Sequence, residues 1–593
     1  MRRAAALVCS ILIGSSACVA EAPSDRPNVL QDFLASDWAY WTAEYPEFAT
    51  AIGMPDHDAR WTDLAPDAIE RRRAHLRESL ERLRGFNRGA LDAAGQLNYD
   101  LYREMLETAV TGLAFDNDPM PVRGVIAANL LMPINQLEGI QQGIPRTISM
   151  MPASTVPQVE NVLARLRGVP DVVEKTIALM ERGLAQGVTP PRMTLRDVPA
   201  QVQAQIVDDP FASPLLASFV ELPAGIGGAD RQRLRDAAVD AYRSQVRPAF
   251  VRLHEFLTER YLPAARETTS AALLPKGEEL YAYNVKWHTT TELTPKAIHE
   301  IGLQEVARIR AEMDRIVSAV KFRGSFEDFK RFLRTDARFY YTNADALVAG
   351  YRDIAKRADP ELARLFGVLP RTPYGVEVVP AAIAPSQTTA YYDPGALTAG
   401  RAGNMFANTY KLDSRPKWEM EALTLHEAVP GHHLQIALAQ EMENLPEFRK
   451  HTSYTAFVEG WALYAEGLGE EMGFYTDPYA KFGQLTYEMW RAVRLVVDTG
   501  LHAMGWTRQQ AIDYFLAHAA KTEQDVIVEV DRYIVWPGQA LGYKIGQIRI
   551  RELRAELERD LGSRFDLRRF HDTVLGQGAI PLAVLEQRVR QLK

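Results

Sequence analysis

Apolar residues recur at three- and four-residue spacing along most of the chain, the pattern of helices that bury one stripe and expose the other. The spacing predicts helices over 68–83, 96–113, 156–184 and 231–262. Pro and Gly punctuate the gaps, at Gly143-Ile144-Pro145, Pro190-Pro191 and Leu222-Pro223-Ala224-Gly225. Thr294-Pro295 reads as an N-cap followed by proline in the first helical position, opening a helix to about Val320. The pattern changes over 374–410, which is rich in Val, Thr, Tyr and Pro. There Val376-Glu377-Val378 alternates and 403–410 reads as extended, which predicts a small sheet. Helical spacing resumes at Lys417 and runs from Trp418 to Met442. The expected fold is mainly α, a large multi-helix body with a small β-sheet beside the last of these helices. A weak break over 271–276 suggests an N-terminal helical lobe over 23–275 and a C-terminal lobe over 276–593, with 23–593 as one domain the alternative.

The start of the chain departs from this pattern. Met1-Arg2-Arg3, a short apolar stretch from Ala4 to Gly14 and then small residues follow the order of a secretory signal peptide. The stretch is shorter than the roughly 20 residues a membrane-spanning helix needs. Ala20-Glu21-Ala22 offers a cleavage site, so residues 1–22 are expected to be removed and the protein exported to the periplasm. The only two cysteines, Cys9 and Cys18, lie in this segment, so the mature body is expected to have neither a disulfide nor a thiolate ligand. Ser15-Ser16-Ala17-Cys18 also resembles a lipoprotein signal, with lipidation of Cys18 as the one route to a membrane. Among all 593 residues, 47% are apolar and 24% charged, and the net charge is -8. That balance is globular, and without a Lys/Arg run it gives no footprint for nucleic acid.

Candidate chemistry gathers in Leu425-His426-Glu427-Ala428-Val429-Pro430-Gly431-His432-His433-Leu434-Gln435. Imidazole is a good zinc ligand, and a glutamate beside a ligating histidine can act as general base on an activated water. The zincin pattern H-E-x-x-H puts two histidines one helical turn apart. Here position i+4 is Pro430, and His432 and His433 follow at i+6 and i+7. On an unbroken helix His433 shares the face of His426, but about 10.5 Å farther along the axis. Pro430 and Gly431 predict a kink that brings one of the two onto the metal. The Gly-His ending favours His432 and helical phase favours His433. A third ligand is expected from Phe457-Val458-Glu459-Gly460-Trp461-Ala462-Leu463-Tyr464-Ala465-Glu466, with Glu459 as ligand and Glu466 positioned to orient a ligating histidine.

Taken together, H-E-x-x-P-G-H-H-L-Q, E-G-W-A-L-Y-x-E, Arg494 to His502 and Pro537 to Gly546 resemble the bacterial family known as domain of unknown function 885, over most of the mature chain. That resemblance implies a mostly α-helical, often exported protein. The motif order is also distantly similar to the glutamate-ligand zincins, such as angiotensin-converting enzyme and carboxypeptidase Taq, and implies a zincin-like fold. By that similarity the protein is expected to be a zinc-dependent hydrolase, cleaving peptide bonds with a metal-activated water and Glu427 as general base. Tyr543 is the first candidate to stabilise the oxyanion and His502 the second. Arg494, Arg532 and Lys544 are candidates to hold a substrate carboxylate, and 403–410 is a candidate edge strand for an extended peptide. The alternatives are hydrolysis of another amide or ester, and a non-catalytic metal-binding protein. Manganese and cobalt suit the same donors.

Overall fold

The computed structural model of the protein describes residues 29–381, 384, 387–396 and 400–593, so the expected signal segment with Cys9 and Cys18 lies outside them. The long periodic segments are helices, including Pro66–Arg84 and Ala93–Gly112. Helix α1 (Val156–Gln186) opens on a capping box between Thr155 and Gln158, and its buried stripe runs from Val159 through Leu166 and Val173 to Met180. It packs on the helical rod that starts at Gly228–Ala241. That rod widens into π-turns twice, over Tyr242–Val246 and Phe256–Tyr261. Pro248 and Pro263 follow these turns. A proline ring clashes with the carbonyl four residues back and donates no hydrogen bond, and a π-turn relieves both. These elements form one apolar core, within 134–265.

A second, larger core draws on both ends of the chain. Thr294 accepts a hydrogen bond from the Ala297 amide and caps α2 (Pro295–Ala319), as its sequence predicts. A three-stranded sheet forms from β1 (Tyr374–Val378), β2 (Ala390–Asp393) and β3 (Gly403–Ala407) in the order β1-β3-β2. Strand β3 pairs parallel with β1 and antiparallel with β2. It is therefore central, and the expectation of a free edge strand beginning at Gly403 is corrected: both of its hydrogen-bonding sides are taken.

The helical spacing from Trp418 to Met442 resolves into two helices, α3 (Lys417–Glu427) and α4 (His432–Glu441), followed by α5 (Thr455–Gly467). At the centre lies α6 (Pro478–Ala503), buried at every position from Phe482 to His502 and packed on α2 and α3. After α7 (Glu523–Val535), α8 (Leu541–Leu561) crosses α5. The crossing is backbone against backbone: a Cβ on Gly546 would lie 1.8 Å from the Ala456 carbonyl oxygen, and one on Gly460 2.5 Å from Gly546 Cα. Only glycine allows this approach, and it fixes the height at which the neighbouring Glu459 is presented.

Three histidines in this core are held neutral by burial: His288 is pushed down to about 3, and His502 and His571 to about 4. Burial outweighs the Leu365 carbonyl, which alone would raise His571, and the contacts of the ring suit its neutral form. Its Nδ1–H donates to the Leu365 carbonyl at 2.9 Å, so Nε2 is left to accept from the Tyr464 hydroxyl at 2.9 Å. A depressed histidine contributes stability that is complete above the unfolded value near 6.5 and is lost as pH falls toward 4. At pH 5 this amounts to about 2 kcal/mol for such a group. The thermal midpoint is expected to fall between pH 7.5 and pH 5, and to fall less in His571→Gln. An identical fall in both proteins would contradict this assignment.

Candidate metal centre

The site is built by the turn that separates α3 from α4. Helix α3 ends when Ala428 turns to φ -97°, ψ -112°, and Gly431 follows at ψ -129°. A Cβ at residue 431 would sit 1.9 Å from the His426 carbonyl oxygen, so the chain can fold back here only with glycine. The His433 amide returns to the Ala428 carbonyl at 3.1 Å, and the Trp461 indole N–H of α5 donates to the Pro430 carbonyl at 2.9 Å. The reversal turns His432 toward His426, with ring centroids 4.9 Å apart at 89°.

Glu459 of α5 completes the group. Its Oε2 lies 3.6 Å from His426 Nε2 and 3.4 Å from His432 Nε2, and one donor atom from each of the three residues lies within 4.8 Å of the others. Two ligand atoms about 2.05 Å from a tetrahedral zinc are themselves about 3.3 Å apart, which matches both contacts. His432 Nδ1 and Glu459 Oε2 are buried without a hydrogen-bond partner among the described residues. Two imidazoles and a carboxylate are a donor set that fits a divalent ion such as zinc.

The electrostatics agree with the geometry. Burial alone would raise the Glu459 carboxyl, but the imidazoles of His432 and His426 outweigh it and hold the group well below the usual range. Burial pushes His426 down, yet Glu459 and Glu466 prevail and lift it to about 9. His426 Nδ1–H donates to Glu466 Oε1 at 2.8 Å, which turns Nε2 toward the centre; Glu466 is fully buried. Glu427, next to His426, has its carboxyl raised by burial, against the pull of His426 and His432. No hydrogen bond from another described side chain occupies it.

Other residues singled out in the sequence have different partners. His433 is corrected as a ligand: it faces the sheet, with Nδ1 2.9 Å from the Tyr392 hydroxyl and Nε2 3.1 Å from the Thr372 carbonyl, and burial pushes it down to about 4. The turn, not helical phase, decides which histidine joins His426. His502 is corrected too, because Nδ1 accepts from the Ala271 amide and Nε2–H donates to the Tyr533 carbonyl, each at 3.0 Å. Lys544 is spent on Glu488 and Glu305 at 2.7 and 2.8 Å. Arg494 pairs with Glu529 at 2.9 Å, while Asp498 accepts from the Tyr281 hydroxyl and the Gly538 amide. Tyr543 lies beneath Arg494, and its hydroxyl accepts from Arg532 at 3.2 Å; no hydrogen bond joins it to the three candidate ligands. Arg491 was not picked out from the sequence. It lies on a helix buried on every side from Phe482 to His502, which amphipathic spacing alone does not reveal.

The family model described as "Bacterial protein of unknown function (DUF885)" matches residues 46–589. A candidate lipoprotein from Colwellia psychrerythraea has a similar crystal structure, with 28% identity, a TM-score of 0.89, and coverage of 95% of this chain and 98% of that one. A candidate lipoprotein of unknown function from Shewanella oneidensis shares the fold at 18% identity and a TM-score of 0.70, covering 95% and 99% of the two chains. No match was found among curated proteins.

Proposed function

We propose that this chain, which belongs to the DUF885 family, is a zinc-dependent metallopeptidase-like hydrolase with its reaction centre at His426, His432 and Glu459. The observation that carries the reading is the convergence of those three donors at ligand spacing; Glu427, the chain neighbour of His426, interacts electrostatically with all three. A divalent ion bound there supplies Lewis acidity toward a substrate carbonyl and toward water. His426 and His432 hold their Nε2 atoms toward the centre, and Glu466 keeps the first in that orientation. Glu427 takes the proton of the attacking water and returns it to the leaving amine. Tyr543 is retained as a candidate donor to the oxyanion, its hydroxyl here accepting from Arg532. The order of the parts, histidine-glutamate on one helix and a glutamate ligand on a later one, supports the link to glutamate-ligand zincins.

The signal-like start of the sequence and the lipoprotein descriptions of both structural relatives support export, with Cys18 as the anchoring position. No helix among the described residues is long and apolar enough to cross a membrane. The test of the activity is a digest of a mixed peptide library. Zinc-loaded protein is expected to cut it, chelation to stop the cutting, and added zinc to restore it. A library left intact by fully loaded protein would sink the peptidase reading.

A further inference from the structure

Next to the centre lies a concentration of buried positive charge that the hydrolytic reading leaves unused. Arg491 of α6 is 5% exposed, and its guanidinium lies among the rings of Tyr487, Trp490 and Tyr543, 4.7 to 5.9 Å from their centroids. Its Nε and Nη1 have no hydrogen-bond partner among the described residues. The one carboxylate paired with it is Glu466, at 4.0 Å, beyond hydrogen-bond range and already engaged by His426. One helical turn on, Arg494 lies over the same Tyr543 ring, 4.4 Å from its centroid, and Arg532 donates to that residue's hydroxyl. Arg494 and Arg532 share the single carboxylate of Glu529, and each keeps a buried nitrogen without a partner. Three guanidiniums thus surround one tyrosine with fewer anions than cations, in a region where an unpaired charge is costly. Arg491 also bears electrostatically on Glu427, so it borders the space in which the proposed base works.

We propose that this arginine cluster receives a carboxylate of the substrate, and specifically the free C-terminal carboxylate of a short peptide, with Arg491 as the residue that binds it. The assignment rests on the peptidase reading and narrows its substrate class to peptides cut near the C-terminal end. The planar fork of arginine matches the two oxygens of a carboxylate, and the aromatic walls hold the guanidinium flat and dry. An internal stretch of a long chain offers no such anion unless an acidic side chain supplies it.

The test compares one random-sequence octapeptide library in two forms, free acids and C-terminal amides, with products read by mass spectrometry. Zinc-loaded wild-type protein is expected to consume the acids at least about tenfold faster than the amides, with cuts near the C-terminus. In Arg491→Gln, with zinc content and circular dichroism unchanged, the preference is expected to collapse by about 10- to 100-fold, the scale of a charge-assisted hydrogen-bond pair. Arg491→Lys, which keeps the charge and loses the fork, should retain part of the preference, and it carries the test if the glutamine variant does not fold. Equal consumption of both libraries, cuts placed only by internal acidic side chains, or a preference that survives in Arg491→Gln overturns the proposal. If zinc-loaded wild type cuts neither library, the peptidase reading fails separately. Calorimetric titration with tetraalanine then decides the proposal: binding of the acid and not the amide, lost in Arg491→Gln, upholds it, and equal binding of both forms overturns it.

Discussion

Glu427→Gln is expected to leave the protein folded and loaded with one zinc while peptide hydrolysis falls by about 10²- to 10⁴-fold, the contribution of a positioned general base. That is about 3 to 5 kcal/mol of transition-state stabilisation. Glu427 is not among the three converging donors, and no described side chain depends on its carboxylate for a hydrogen bond. Glutamine keeps the shape of the residue at the end of α3 and removes only the ability to accept a proton. Burial raises the carboxyl at this position, so taking it away also removes a group that is uncomfortable in the fold. Activity within tenfold of wild type, or loss of zinc together with activity, would assign Glu427 a different role.

The second large effect separates adjacent histidines. His432→Ala is expected to lose stoichiometric zinc on dialysis, because two of the three protein donors cannot replace the third. His433→Ala should keep its zinc and lose stability instead. Its imidazole bridges α4 to the sheet, and removing it strands the part-buried Tyr392 hydroxyl and the buried Thr372 carbonyl. Unmade buried hydrogen bonds of this kind cost about 1 to 3 kcal/mol each. Elemental analysis and thermal melts of both variants read the contrast. Zinc lost from His433→Ala and kept in His432→Ala would reverse the ligand assignment.

The sequence made the helical body legible because amphipathic spacing and caps are local. Thr294 caps its helix and the small sheet falls within 374–410, where the spacing places them. His426, Glu427, Glu459 and Glu466 were legible as chemistry because few other reasons put those residue types at that spacing. The features that escaped depend on contacts distant in the chain or on backbone direction. Pro430 and Gly431 made a kink legible, but the direction of the turn, which selects between His432 and His433, is not written in the hydrophobic spacing. The i,i+4 spacing of Arg494 and Asp498 suggests a helix pair, but Glu529, Tyr281 and Gly538 compete for both and win. Whether β3 is an edge depends on the order of the sheet, which local alternation does not encode. The close approach of Gly460 to Gly546, which sets Glu459 in place, pairs positions 86 residues apart.

The central claim is that His426, His432 and Glu459 hold one cation. Crystals grown with zinc and measured on both sides of the zinc absorption edge test it directly. The account predicts a single strong anomalous peak about 2.1 Å from both Nε2 atoms and from a Glu459 carboxylate oxygen. A peak at His433, or none at this centre under saturating zinc, would contradict it.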